Sequence, residues 1–261
     1  VAALRAIFQL TRLETSLLGF FAIFIPFFTR NHDLYLSFSR AVPLLFISVC
    51  TFVANDLDDM ERDRVNHPDR PLPGGHLSPV FVVICYFTFL ALALFSTSYF
   101  IPSGIDFLYY SAISLSISYG YISEYIPILK PPYVAIAATV PILIVATSYP
   151  KEPRLYLIAG SVFLITLGRE ICMDIKDRAG DPVSFMHRFR PKALGKVAFS
   201  LQAIGLLLLV ILINKGGDII ALVVMSLLLV ISALCWFQFE SYKLSLIVMK
   251  IQLFVGLYFL I

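Results

Sequence analysis

The stretch NDLDDMERDRVNHPDRPLPGG, residues 55–75, decides how the rest of the chain is read. Five acids fall between Asp56 and Asp63, directly behind the uncharged run AVPLLFISVCTFVA at 41–54. Asn55, Asp59 and Asp63 stand at i, i+4 and i+8. On a helix continuing out of the apolar run they share one face. Like charges at that spacing repel, so the face calls for a cation.

Composition sets the class of the surroundings. Of 261 residues, 59% are hydrophobic and 14% charged, with a mean hydropathy of +0.87. Soluble domains carry about 25% charged residues. Apolar runs recur along the whole length and are continuous instead of alternating, which argues against a β-barrel and predicts an all-α polytopic membrane protein. The net charge of +3 gives no reason to expect a nucleic-acid partner. Cys50, Cys85, Cys172 and Cys235 show no CxxC spacing and read as isolated thiols.

Charged or turn-rich breaks cut the chain into nine apolar segments, 14–29, 40–56, 79–98, 105–120, 133–149, 154–172, 195–213, 218–236 and 243–261. Each approaches the ~20 residues that cross a bilayer as a helix. No soluble domain fits the loops, so 1–261 reads as a single transmembrane domain. No cleavable signal peptide is expected, because the first apolar run leads into further spans. The N-terminus and the loops after spans 2, 4, 6 and 8 carry thirteen Lys and Arg, against five on the other side. The positive-inside rule places the N-terminus and those loops in the cytoplasm.

A second acidic cluster, REICMDIKDRAGD at 169–181, ends span 6 on the same predicted side. Glu170, Asp174, Asp177 and Asp181 follow a near-helical period. Ionisable groups at the membrane edge of helices mark a site by default. Asp oxygens and an Asn carbonyl are hard ligands suited to Mg2+, which usually completes its shell with water and substrate phosphate oxygens. Arg62, Arg70, Lys176 and Arg178 are interleaved with the acids and can grip phosphate directly. The pattern predicts metals that clamp a diphosphate at the mouth of an apolar bundle, and hence a lipid diphosphate.

At this point the sequence resembles the UbiA superfamily of intramembrane prenyltransferases. Its first motif, NDxxDxxxD, matches Asn55, Asp56, Asp59 and Asp63, and RVNHPDRPLPGG resembles the family's continuation, with Arg70 inside it. Its second motif, DxxxD, matches Asp177 and Asp181, and LTRLETSLL at 10–18 resembles the entry to the first helix. The resemblance implies nine transmembrane helices around a central cavity, both Asp motifs at a cytoplasmic mouth, and transfer from an isoprenyl diphosphate to an acceptor. It implies Asn55, Asp59, Asp63, Asp177 and Asp181 as catalytic metal ligands; the spacing of the second cluster adds Asp174 as an expected further ligand, with Arg178 as its alternative partner. Asp56, Arg62, Arg70, Lys176 and Arg178 are implied on the substrate. In the loop SYGYISEYIPILKPPY at 118–133, Tyr119 and Tyr121 fit a diphosphate-holding role. Glu124 stands near where relatives often have Lys, and Lys130 is the available substitute. The stretch PVSFMHRFRPKALGK at 182–196 replaces the family's usual continuation.

The leading expectation is transfer to an aromatic acceptor. Glycerophosphate transfer and acceptor-free terpene cyclisation keep the same site. A transporter or lipid-binding protein is the non-enzyme alternative, disfavoured because transporter sites lie near the midplane on broken helices. His67 and His76 read as solvated loop residues. His187, Arg188, Arg190 and Lys192 read as a headgroup-contacting anchor, and Trp236 as an interfacial aromatic.

Overall fold

The structure is a computed structural model. It describes residues 2–179, 189–211, 216–237 and 241–256. Its secondary structure there is helical, in two compact units.

The first unit, Val1–Pro127, contains α1 (Ala2–Thr11), α2 (Leu13–Asn31), α3 (Leu34–Asp58), α4 (Met60–Asn66), α5 (Pro79–Phe100) and α6 (Asp106–Tyr125). Local sequence sets its breaks. Arg12 adopts a left-handed conformation, φ 41° and ψ 50°, and separates α1 from α2. Asp33 caps α3, its carboxylate accepting from the Leu36 amide at 2.9 Å. Ser78 caps α5 with Pro79 in the first turn, where a missing amide proton costs nothing. α3 is the hub: α2, α5 and α6 all pack on it. Under its C-terminal half, Val49 and Val53 are buried with Leu10, Leu72 and Val82. At its other end, fully buried Tyr109 donates to the Arg40 carbonyl at 2.7 Å. α5 turns Val80, Ile84, Phe87 and Phe95 outward. For a helix of this hydropathy, 2.3, that face suits lipid.

The second unit contains α7 (Lys130–Ser148), α8 (Arg154–Lys176), α9 (Pro191–Val210), α10 (Gly216–Phe237) and α11 (Tyr242–Gly256). α8 and α9 make its closest crossing. A Cβ on Gly168 would stand 2.4 Å from the Ala198 carbonyl oxygen, so the backbones meet there only because Gly168 has none. Polar side chains are buried in the same bundle. Ser232 bonds Ser245 at 2.8 Å between α10 and α11, and Gln202 on α9 and Gln252 on α11 are fully buried. Trp236, expected as an interfacial anchor, is 3% exposed. Its ring lies 4.4 Å from that of Tyr242 and against Gly195. Packing against that glycine outweighs the interfacial preference of the indole.

Among the described residues, seven helices are long and apolar enough to cross a membrane, against the nine spans expected. The expected segments 105–120 and 243–261 coincide with α6 and α11. α6 is diluted by Ser111, Ser114, Ser116, Ser118 and Ser123, and α11 is described over 15 residues. α1 corresponds to no expected segment. The thiols are unpaired, as expected.

Candidate active site

The first motif straddles the end of α3. The helix labels change at Asp59, but the hydrogen-bond ladder runs through. The Asp59 amide donates to the Asn55 carbonyl at 2.9 Å, Asp63 to Asp59 at 2.8 Å, and His67 to Asp63 at 2.8 Å. Asn55, Asp59 and Asp63 therefore do lie one above another on one helical face.

Guanidinium groups meet this face from its flanks. Arg62 Nη1 lies 3.0 Å from Asp59 Oδ1 and donates to Ser123 Oγ of α6 at 3.1 Å. Arg70 bonds the Asp63 carboxylate. Burial pushes the Asp63 carboxyl above the usual range, and the neighbouring Arg70 partly offsets this. Arg70 also approaches Asp56 Oδ1 at 3.5 Å. Asp56 is 2% exposed and takes a second guanidinium, that of Arg12, at 2.5 Å on the same oxygen. Expected on the substrate, Asp56 is thus engaged inside the unit. Tyr119 and Tyr121, each expected on the diphosphate, differ in exposure: Tyr119 is buried and Tyr121 is exposed, its ring 4.8 Å from that of Tyr125.

In the second unit, Asp174 and Asp177 close α8. Lys130, at the start of α7, reaches Asp174 Oδ1 with Nζ at 3.2 Å, a partner the sequence did not suggest. Lys176 donates to Asp177 at 3.0 Å, and Arg169 pairs with Glu170 at 2.5 Å. Arg178 donates to the Phe189 carbonyl at 2.8 Å. Asp181, His187 and Arg188 lie outside the described residues.

Sequence reasoning missed Arg12, Ser123 and Gly120. A Cβ on Gly120 would stand 2.1 Å from Asp58 Oδ2, so that carboxylate lies flush on α6. No local signal announces these contacts. Each joins positions far apart in the chain.

The UbiA prenyltransferase family model matches residues 18–254. The chain belongs to that family. Among UbiA relatives, a digeranylgeranylglyceryl phosphate synthase from Archaeoglobus fulgidus is 34% identical over 192 residues, 68% of this chain and 62% of the relative's length. A solved digeranylgeranylglyceryl phosphate synthase structure has a TM-score of 0.71 at 20% identity, covering 100% of this chain and 98% of that one. A UbiA homolog from Archaeoglobus fulgidus bound to DMAPP and Mg2+ has a TM-score of 0.62 at 16% identity, covering 97% and 98%. These likenesses establish an all-α UbiA fold.

Proposed function

We propose that this protein is a Mg2+-dependent intramembrane prenyltransferase that joins an isoprenyl group to a glyceryl phosphate acceptor. The observation that carries the reading is the continuous face of Asn55, Asp59 and Asp63 with Arg62 and Arg70 against it. The acceptor is suggested by the Archaeoglobus fulgidus relative, named for a product with two geranylgeranyl groups on glyceryl phosphate. The aromatic acceptor expected from sequence has no such support and gives way to it. DMAPP and Mg2+ in a homolog of the same fold support the donor class and the metal.

The residues fit such a metal. Among the described residues no three Asp, Glu, His or Cys side chains converge in metal-ligand geometry. The first motif supplies two carboxylates and an amide oxygen, which suits Mg2+, an ion that keeps water and phosphate oxygens in its shell. Asn55, Asp59 and Asp63 would hold it, with Asp177, Asp181 and Asp174 serving the same reaction from the second motif. When bound, Mg2+ neutralises charge developing on the departing diphosphate.

The chain's own groups do the rest. Arg62, Arg70, Lys176 and Arg178 offer cationic donors to phosphate oxygens, and Tyr119, Tyr121 and Lys130 complete the proposed substrate contacts. The allylic C–O bond breaks and diphosphate leaves. The acceptor hydroxyl then forms the new C–O bond and releases its proton. Dry apolar surroundings keep water from the cationic carbon. The site mouth and the N-terminus are proposed to face the cytoplasm, following the positive-inside bias.

The test is to incubate purified protein in lipid nanodiscs with geranylgeranyl diphosphate and Mg2+, adding either geranylgeranylglyceryl phosphate or 4-hydroxybenzoate. The expected result is a doubly prenylated glyceryl phosphate lipid and an untouched aromatic acid. Prenylation of the aromatic acid alone, or release of a cyclic hydrocarbon without acceptor, would overturn the acceptor assignment.

A further inference from the structure

The last turn of α6 meets the first motif at two points on one face, positions 120 and 123 being one turn apart. At the first, Asp58 lies against Gly120, where a Cβ would be 2.1 Å from its carboxylate. At the second, Ser123, 4% exposed, accepts from Arg62 Nη1 at 3.1 Å while that same nitrogen lies 3.0 Å from Asp59 Oδ1. The Ser123 hydroxyl therefore draws the guanidinium toward α6, and its recorded bond to Asp59 uses a single carboxylate oxygen. Arg62 and Asp59 are three residues apart on the same turn. Without the tether, the guanidinium can close on both carboxylate oxygens as a bidentate fork, the strongest geometry available to the pair. That fork would occupy the lone pairs a cation requires.

We propose that Ser123 is a positioning residue for cation binding. Acting through Arg62, it restrains the guanidinium to one oxygen of Asp59 and keeps the carboxylate available to a divalent ion. This rests on the reading of Asp59 as a metal-facing ligand. The close approach permitted by Gly120 is what brings Ser123 within reach.

The test reads metal binding directly, without substrate or turnover. Mn2+ binding to detergent-solubilised protein is titrated by electron paramagnetic resonance for wild type, Asp59→Asn, Ser123→Ala, Ser123→Thr, Arg62→Gln and the Ser123→Ala/Arg62→Gln double variant. One neutral-to-charged hydrogen bond is at stake, so Ser123→Ala should weaken Mn2+ binding by about 10-fold or more. Ser123→Thr, which restores the hydroxyl, should bind like wild type. Arg62→Gln should not weaken binding, because no guanidinium is left to close on Asp59. On that background Ser123→Ala should have no effect, the mark of an action routed through Arg62. Should Ser123→Ala misfold, Arg62→Gln alone decides, since a loss of Mn2+ binding there contradicts a competing guanidinium. Wild-type Mn2+ binding in Ser123→Ala alongside weakened binding in Asp59→Asn overturns the proposal. So does a Ser123→Ala loss that persists in the Arg62→Gln background. A wild-type protein that binds no Mn2+, or an Asp59→Asn variant that binds it normally, removes the metal reading of Asp59 itself.

Discussion

Arg12 and Asp56, 44 positions apart in the chain, meet at 2.5 Å, and the Arg12 guanidinium lies 5.0 Å from the centre of the Phe52 ring. Arg70 approaches the same Asp56 oxygen at 3.5 Å. One buried carboxylate thus gathers the α1–α2 junction and the loop after α4 onto the end of α3. Asp56 sits beside the line of Asn55, Asp59 and Asp63 and shares Arg70 with Asp63.

This arrangement gives Asp56 a structural signature. Asp56→Ala leaves the partly buried Arg12 guanidinium without its carboxylate and Arg70 with Asp63 alone, a loss expected to cost about 3 kcal/mol. Thermal melting in detergent without metal or substrate should show a clear drop in Tm. A melting curve equal to wild type would mean that Arg12 finds another partner.

Asp59 should behave in the opposite way. Asp59→Asn removes a charge but little volume, so Tm without ligand should stay near wild type. Turnover should fall by roughly 100- to 1000-fold, since the lost interaction acts on charge developing at the leaving diphosphate. Steady-state assays over a range of Mg2+ concentrations check this. Undiminished turnover would detach the first motif from the chemistry.

The α8–α9 crossing predicts a contrast between two glycines. Gly168→Ala drives a methyl to 2.4 Å from the backbone oxygen of Ala198, whereas on Gly160 the nearest atom to a new Cβ is Leu208 Cδ1 at 3.5 Å. Gly168→Ala should destabilise by roughly 1–3 kcal/mol. Gly160→Ala should be tolerated. Equal Tm values for the two variants would contradict the close crossing.

The positive-inside bias predicts topology. On a cysteine-free background, cysteines introduced at the exposed positions Asp69 and Lys192 should react with an impermeant maleimide from the cytoplasmic side. A cysteine at exposed Ser103 should react from the other side. Labelling of Asp69 and Lys192 from opposite sides would separate the two acidic motifs.

What the sequence could reveal depended on the range of the interaction. The helical face of Asn55, Asp59 and Asp63 is a property of local spacing, and the backbone ladder reproduces it. The apolar segments are local as well, and each coincides with a helix among the described residues. Partner choice is not local. Lys130 for Asp174, Arg12 for Asp56 and Ser123 for Arg62 are all set by which helices pack together, and spacing along one segment carries no trace of that. Trp236 shows the same limit, since the glycine that its ring packs against, Gly195, belongs to a different helix.

The buried polar contacts of α10 and α11 bear on how the chain enters the membrane. α10 is strongly apolar, with a hydropathy of 2.8 over Ile219–Phe237, and can partition into the bilayer unaided. α11 brings Lys243, Lys250 and a wholly buried Gln252. Such a segment is a poor substrate for insertion alone. The Ser232–Ser245 bond and the packing of Tyr242 on Trp236 give it a place to dock on α10. The two helices are therefore suited to associate as a hairpin, with α10 as the anchor on which α11 docks.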